Sequence, residues 1–151
     1  MELYCFGESG HSYKAALALQ LSEIEWTPIF VDFFNGETRS EQYRNQINEM
    51  GEAPVLVDGD TKLTQSGVIQ NYLFNKTGKH GGRDEAEKLE ILRWVLWDNH
   101  KLSSFAGNTR FLMNFFPQDR RPQPVIDFNL ARLKGSYDIL EKALIGKDFL
   151  V

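Results

Sequence analysis

Three stretches of the chain combine residue types that could do chemistry: "GESGHS", "GEAPVL" and "LTQSGV". In the last, Gln65 and Ser66 run straight into an apolar helical segment. The first N–H groups of a helix lack partners and, with the helix dipole, attract a carboxylate. Ser66 adds a hydroxyl donor and Gln65 an acceptor for an ammonium, so the pair suits the head group of an α-amino acid. The competing role for Ser66 is to cap its own helix, a contribution of about 1 kcal/mol. Ala53 and Pro54 open an apolar run, and proline at a strand start supplies no donor. A cis bond there would turn the Ala53 N–H and C=O outward, where an extended peptide can pair by strand addition. A trans bond, the far commoner form, would leave Pro54 an ordinary strand start.

Ser9 and Ser12 lie in the turn that leads into a first helix. A hydroxyl in that position can donate to a thiolate and stabilise it. Moving a bound thiol from ~8.5 to about 6.5 takes about 2.7 kcal/mol of differential stabilisation. The thiolate fraction at neutral pH then rises from roughly 3% to roughly three quarters. The serine itself need not ionise. Its alternative role is a helix N-cap. His11 and His100 have no partner spacing, which points to surface or packing roles rather than catalysis or metal binding.

The totals exclude several other chemistries. The single cysteine, Cys5, sits in the strand-like "LYCF" and cannot form an internal disulfide, and no CxxC, metal-ligand cluster or Gly-rich phosphate loop is present. With 17 basic and 21 acidic residues among 151, a net charge of −4, there is no basic footprint for nucleic acid or an anionic membrane. No apolar run approaches a membrane span, and "MELYCFG" does not read as a secretion signal. The expected compartment is the cytoplasm.

The elements that must position these residues follow from the pattern. "ELYCF" and "WTPIFVDFF" read as strands on either side of a helix over "YKAALALQL", whose stripe is Tyr13, Leu17 and Leu21. Such a strand-helix-strand unit makes a parallel right-handed crossover. "SEQYRNQINEM" reads as a short helix, "PVLVDGDTKLT" as a hairpin turning at Asp-Gly, and "SGVIQNYLFNKTG" as a helix stopped by Gly78. Residues 79–84 read as a linker, with Asp84 and Glu87 in capping-box spacing. Beyond it only helices are expected. "AEKLEILRWVLWDNHKL" is apolar nearly all round, as for a helix buried between neighbours. Ile126, Leu130, Leu133, Tyr137, Leu140 and Leu144 form a packing seam. These helices have too few partners in the sequence to cover their faces, and the chain stops on "DFLV". The expectation is a fragment, with a wall supplied by another chain as the alternative.

In this order, "SGHSYKAALAL" and "AP…QSGVIQNYL" resemble the soluble glutathione transferases, strongest over residues 1–78. The resemblance implies a thioredoxin-like domain, βαβ-α-ββα with a mixed four-stranded sheet, over residues 1–78. An incomplete all-helical domain then occupies residues 85–151. It implies glutathione as co-substrate, no metal, a homodimer and a small electrophile. Ala53, before a cis Pro54, would pair with the cysteinyl part of glutathione, and Gln65 and Ser66 would bind its γ-glutamyl head. Ser9 falls where serine-type classes keep the thiolate-stabilising hydroxyl, with Ser12 its nearest competitor. Tyr4 lies inside the first strand and is a poor candidate. Two positions depart from the family. Thr38 carries no charge and Glu52 the wrong one for holding the glycyl carboxylate, a task Arg39 could take. Trp94, Trp97, Asn99, His100, Phe105 and Arg110 are available for the electrophile wall, with no motif to fix them. The implied activity is conjugation of the glutathione thiolate to an electrophile. Glutathione-dependent reduction of disulfides or peroxides, and a binding module that has lost activity, are the alternatives.

Overall fold

Strand β1 (Glu2–Cys5) lies inside a four-stranded sheet of order β2-β1-β3-β4, with β2 at Thr27–Phe30, β3 at Val55–Asp58 and β4 at Thr61–Thr64. The computed structural model describes all residues, Met1–Val151. β1 pairs parallel with β2, Leu3 opposite Pro28, and antiparallel with β3, Leu3 opposite Leu56. Pro28 is tolerated because β2 is an edge strand. β3 and β4 form the expected hairpin, in which Asp58 faces Thr61 and Gly59 takes the turn at φ 58°.

Two helices, α1 (Gly10–Leu21) and α3 (Ser66–Thr77), pack against each other, and a shorter α2 (Glu41–Gln46) precedes β3. Leu3, Leu56, Ala15, Ala18, Leu19, Ile69 and Leu73 make one buried cluster. The stripe expected on α1 is on the wrong face: Tyr13, Leu17 and Leu21 are exposed, while Ala15, Ala18 and Leu19 are buried. Alanines at i and i+3 let α1 approach its neighbours closely, so the small side chains face inward. A search for bulky apolar residues reads past that face. A polar clasp joins α3 to the hairpin: the Asp58 carboxylate accepts from Tyr72 Oη at 2.6 Å and pairs with Lys76.

The chain divides into two compact units, Met1–Gly81 and Gly82–Val151. In the second, α4 (Glu85–Trp97) leads through a π-helical stretch, Asp98–Leu102, into α5 (Ser103–Asn114). Asp84 caps α4, accepting from Glu87 N–H at 2.9 Å, and the Glu87 carboxylate accepts from Arg83 N–H at 2.7 Å. Arg83 beside it holds Glu87 at about 2. α6 (Gln123–Ala143) packs on α5.

These helices bury less than their apolar patterns alone suggest. α4 buries no residue, and Leu89, Leu92 and Leu96 are exposed. The buried stripe of α6 is Ile126, Asn129, Leu133 and Ser136, leaving Leu130 and Tyr137 outside. Ser136 Oγ lies 3.3 Å from the carbonyl of Lys101 and 3.2 Å from that of Arg132, so a small polar side chain takes the inward place next to Tyr137. No helix is long and apolar enough to cross a membrane.

The clasp makes acid stability measurable. Hydrogen bonds from Lys76 and then Tyr72 hold Asp58 below the usual carboxylate range. A carboxylate with a depressed folded pKa stabilises the fold above its unfolded value of about 3.9, and that contribution fades as pH falls through the folded value. Asp58→Asn should therefore lower the thermal midpoint near neutral pH and flatten its decline in acid. Identical midpoints at neutral pH and identical acid decline would show that the clasp contributes nothing.

Candidate functional site

After β1 the chain turns so that Ser9 N–H donates to the carbonyl of Phe6 at 3.2 Å. Ser9 is the N-cap of α1, and its Oγ accepts from Ser12 N–H at 3.1 Å. The capping role is thus filled. A hydroxyl accepting through a lone pair keeps its proton for donation, so capping leaves Ser9 able to face an anion. Ser12 is buried, with 3% exposure, and its Oγ makes no hydrogen bond. Of the two serines, half-buried Ser9 is the one with greater access to solvent. Phe6 stacks on Phe33 at 4.6 Å, and Phe34 meets both edge-on, forming an aromatic group beside the turn. Burial pushes the Cys5 thiol up, which fits an unreactive side chain.

The Ala53-Pro54 bond is cis. The β3 ladder starts at Val55, so the Ala53 N–H and C=O lie outside it. The backbone just ahead is pinned. The carbonyl of Glu52 accepts from Tyr43 Oη at 3.0 Å and from the buried Asn48 Nδ2 at 2.9 Å. Burial raises the Tyr43 phenol to about 12, so it remains a donor. Gly51, at φ 69°, fits where no other residue would: a Cβ there would lie 2.7 Å from the carbonyl oxygen of Thr38. Thr38 itself is buried, and the Arg39 guanidinium lies over Gly36.

Gln65, not Ser66, occupies the N-cap of α3, with φ 68° and ψ 117°, and its side chain caps nothing. Instead Gln65 Nε2 donates to Glu52 Oε2 at 2.9 Å. Ser66, 4% exposed, opens the helix, and its Oγ is hydrogen-bonded to His11 Nδ1 at 3.1 Å. The first bond into the helix runs from Ile69 N–H to Gln65 C=O at 3.0 Å, leaving the N–H groups of Ser66, Gly67 and Val68 ahead of it.

The three stretches singled out in the sequence are therefore tied together. Gln65 to Glu52 joins the start of α3 to the proline turn, and Ser66 to His11 joins it to the start of α1. Sequence reasoning missed the parts played by His11, Asn48 and Tyr43. His11 and Ser66 are 55 residues apart, and no local spacing announces their contact. No group of three or more His, Cys, Asp or Glu side chains is placed to hold a metal ion.

The chain is similar to known proteins of one family. The family described as "Glutathione S-transferase, N-terminal domain" matches residues 1–75. Glutathione S-transferase F10 of Arabidopsis thaliana is 31% identical over 150 residues, covering 92% of this chain and 67% of the relative. Glutathione S-transferase F14 of the same plant is 29% identical over 156 residues, and this chain spans 61% of its length and matches over 99% of its own. A glutathione transferase from Burkholderia graminis, crystallised with two glutathione molecules per subunit, superposes with a TM-score of 0.88 at 22% identity. That alignment covers 99% of this chain and 64% of the other, and establishes the shared fold.

The backbone of Gln65 has a testable cost. A non-glycine residue held in such a region costs roughly 1–3 kcal/mol. Gln65→Gly and Gln65→Ala both delete the amide bonded to Glu52, but only glycine relieves the backbone. Urea unfolding should find the glycine variant more stable than the alanine variant by about 1 kcal/mol. Equal stabilities would mean that the backbone at residue 65 is unstrained.

Proposed function

The chain belongs to the glutathione S-transferase family, and from that premise we propose that it binds glutathione and joins its sulfur to an electrophilic carbon. The observation that carries the reading is the start of α3, hydrogen-bonded both to the proline turn and to the start of α1. These two bonds support the reading because they tie the start of α3 to the proline turn and to the helix that Ser9 caps. The γ-glutamyl carboxylate takes the N–H groups and hydroxyl at Ser66. Gln65, whose Nε2 is engaged by Glu52, offers its Oε1 to the α-ammonium. The cysteinyl backbone pairs with Ala53 beside Pro54.

Ser9 then donates to the sulfur, stabilising the thiolate at the start of α1. The thiol proton passes to solvent. The thiolate forms the carbon–sulfur bond, and a leaving group departs with its electron pair. The acidic Glu52 does not hold the glycyl carboxylate in this reading, because its carboxylate is turned to Gln65. Arg39, over Gly36, has no demonstrated part in it. The homodimer belongs to the same proposal.

Ser9→Ala tests the chemistry. Turnover of an aromatic halide should fall more than about tenfold while the KM for glutathione changes little. Loss of the N-cap should also lower unfolding free energy by about 1 kcal/mol. Unchanged turnover would remove Ser9 from the mechanism. Turnover of a glutathione mixed disulfide in place of the halide would assign reduction instead of conjugation.

A further inference from the structure

His11 is hydrogen-bonded to Ser66, and the function above gives it no task. It stands in the first turn of α1, two residues past Ser9, with Nδ1 3.1 Å from Ser66 Oγ. Ser66 is buried and is the first residue of α3, and its hydroxyl does not cap that helix. A serine hydroxyl has one proton and two lone pairs. Were Ser66 to give its proton to His11, an incoming carboxylate would meet a lone pair and be repelled. Were His11 to donate from Nδ1, the Ser66 proton would be released toward the ligand, and the hydroxyl would be held in that direction.

We propose that His11 is a positioning residue for the amino-acid end of the ligand. Its Nδ1–H donates to Ser66 Oγ and so turns the Ser66 hydroxyl into a fixed donor for the α-carboxylate. The inference rests on the function proposed above and assigns a specificity to one part of it. Discrimination in favour of a ligand bearing that carboxylate depends on a histidine in another helix. The same bond fixes the seat for the carboxylate relative to Ser9, because His11 and Ser9 share the start of α1.

The experiment is calorimetric binding of glutathione and of its analogue lacking only the α-carboxylate, γ-aminobutyryl-cysteinyl-glycine. The readout is the ratio of the two Kd values. Wild-type protein should prefer glutathione, and His11→Leu should reduce that preference by about three- to tenfold, the scale of one hydrogen bond. Asparagine can place an amide nitrogen close to the Nδ1 position, whereas glutamine reaches toward Nε2. His11→Asn should therefore keep most of the preference and His11→Gln should lose it, a comparison that holds even if the leucine variant folds poorly. In a Ser66→Ala background, His11→Asn and His11→Gln should give the same ratio. An unchanged ratio in His11→Gln, including equal weakening of both ligands, would reduce His11 to a structural contact and overturn the inference while the function stands. Wild-type protein that binds neither ligand would overturn the function and this inference together.

Discussion

The start of α3 is held from two sides. Gln65 reaches back to Glu52 beside the proline turn, and Ser66 reaches across to His11 at the start of α1. Each bond is modest taken alone, on the order of 1 kcal/mol. In the proposed function their importance is geometric, because groups far apart in the chain must converge within a few ångströms to engage one small peptide. In that proposal the helix dipole and the first N–H groups of α3 attract the carboxylate. The two bonds hold that attraction beside a free peptide edge and a hydroxyl.

The rest of the first unit supports this arrangement. β1 and β3 place Leu3 opposite Leu56 under both helices, and the alanine face of α1 brings it close to α3. A bulkier inward face would push the two helix starts apart and separate His11 from Ser66. On the other side, Asn48 and Tyr43 converge on the carbonyl of Glu52 and fix the residue that both precedes the proline turn and receives Gln65. A carbonyl held by two donors, one of them from the buried Asn48, resists displacement, so the turn is positioned by groups outside the proposed ligand contacts.

Much of this was legible in the sequence where the signal is local. The β-α-β order, the Asp-Gly hairpin, the Asp84 cap and the run from Gln65 into an apolar helix are short-range patterns, and the structure contains each of them. Misreadings arose where burial depends on partners remote in sequence. Tyr13, Leu17 and Leu21 have the spacing of a core stripe, yet the alanine face is the one that packs. The capping role weighed for Ser66 falls to the backbone position of Gln65, and the Ser66 hydroxyl is bonded to His11 instead. Nothing in the local sequence announced that the Glu52 carboxylate accepts from Gln65.

The most direct measurement is a crystal structure of the protein with glutathione bound. The account predicts that the cysteinyl backbone pairs with Ala53, the γ-glutamyl carboxylate meets Ser66, and the sulfur lies within hydrogen-bonding distance of Ser9 Oγ. A peptide bound elsewhere, or a sulfur directed away from Ser9 while the head group sits at Ser66, would contradict it.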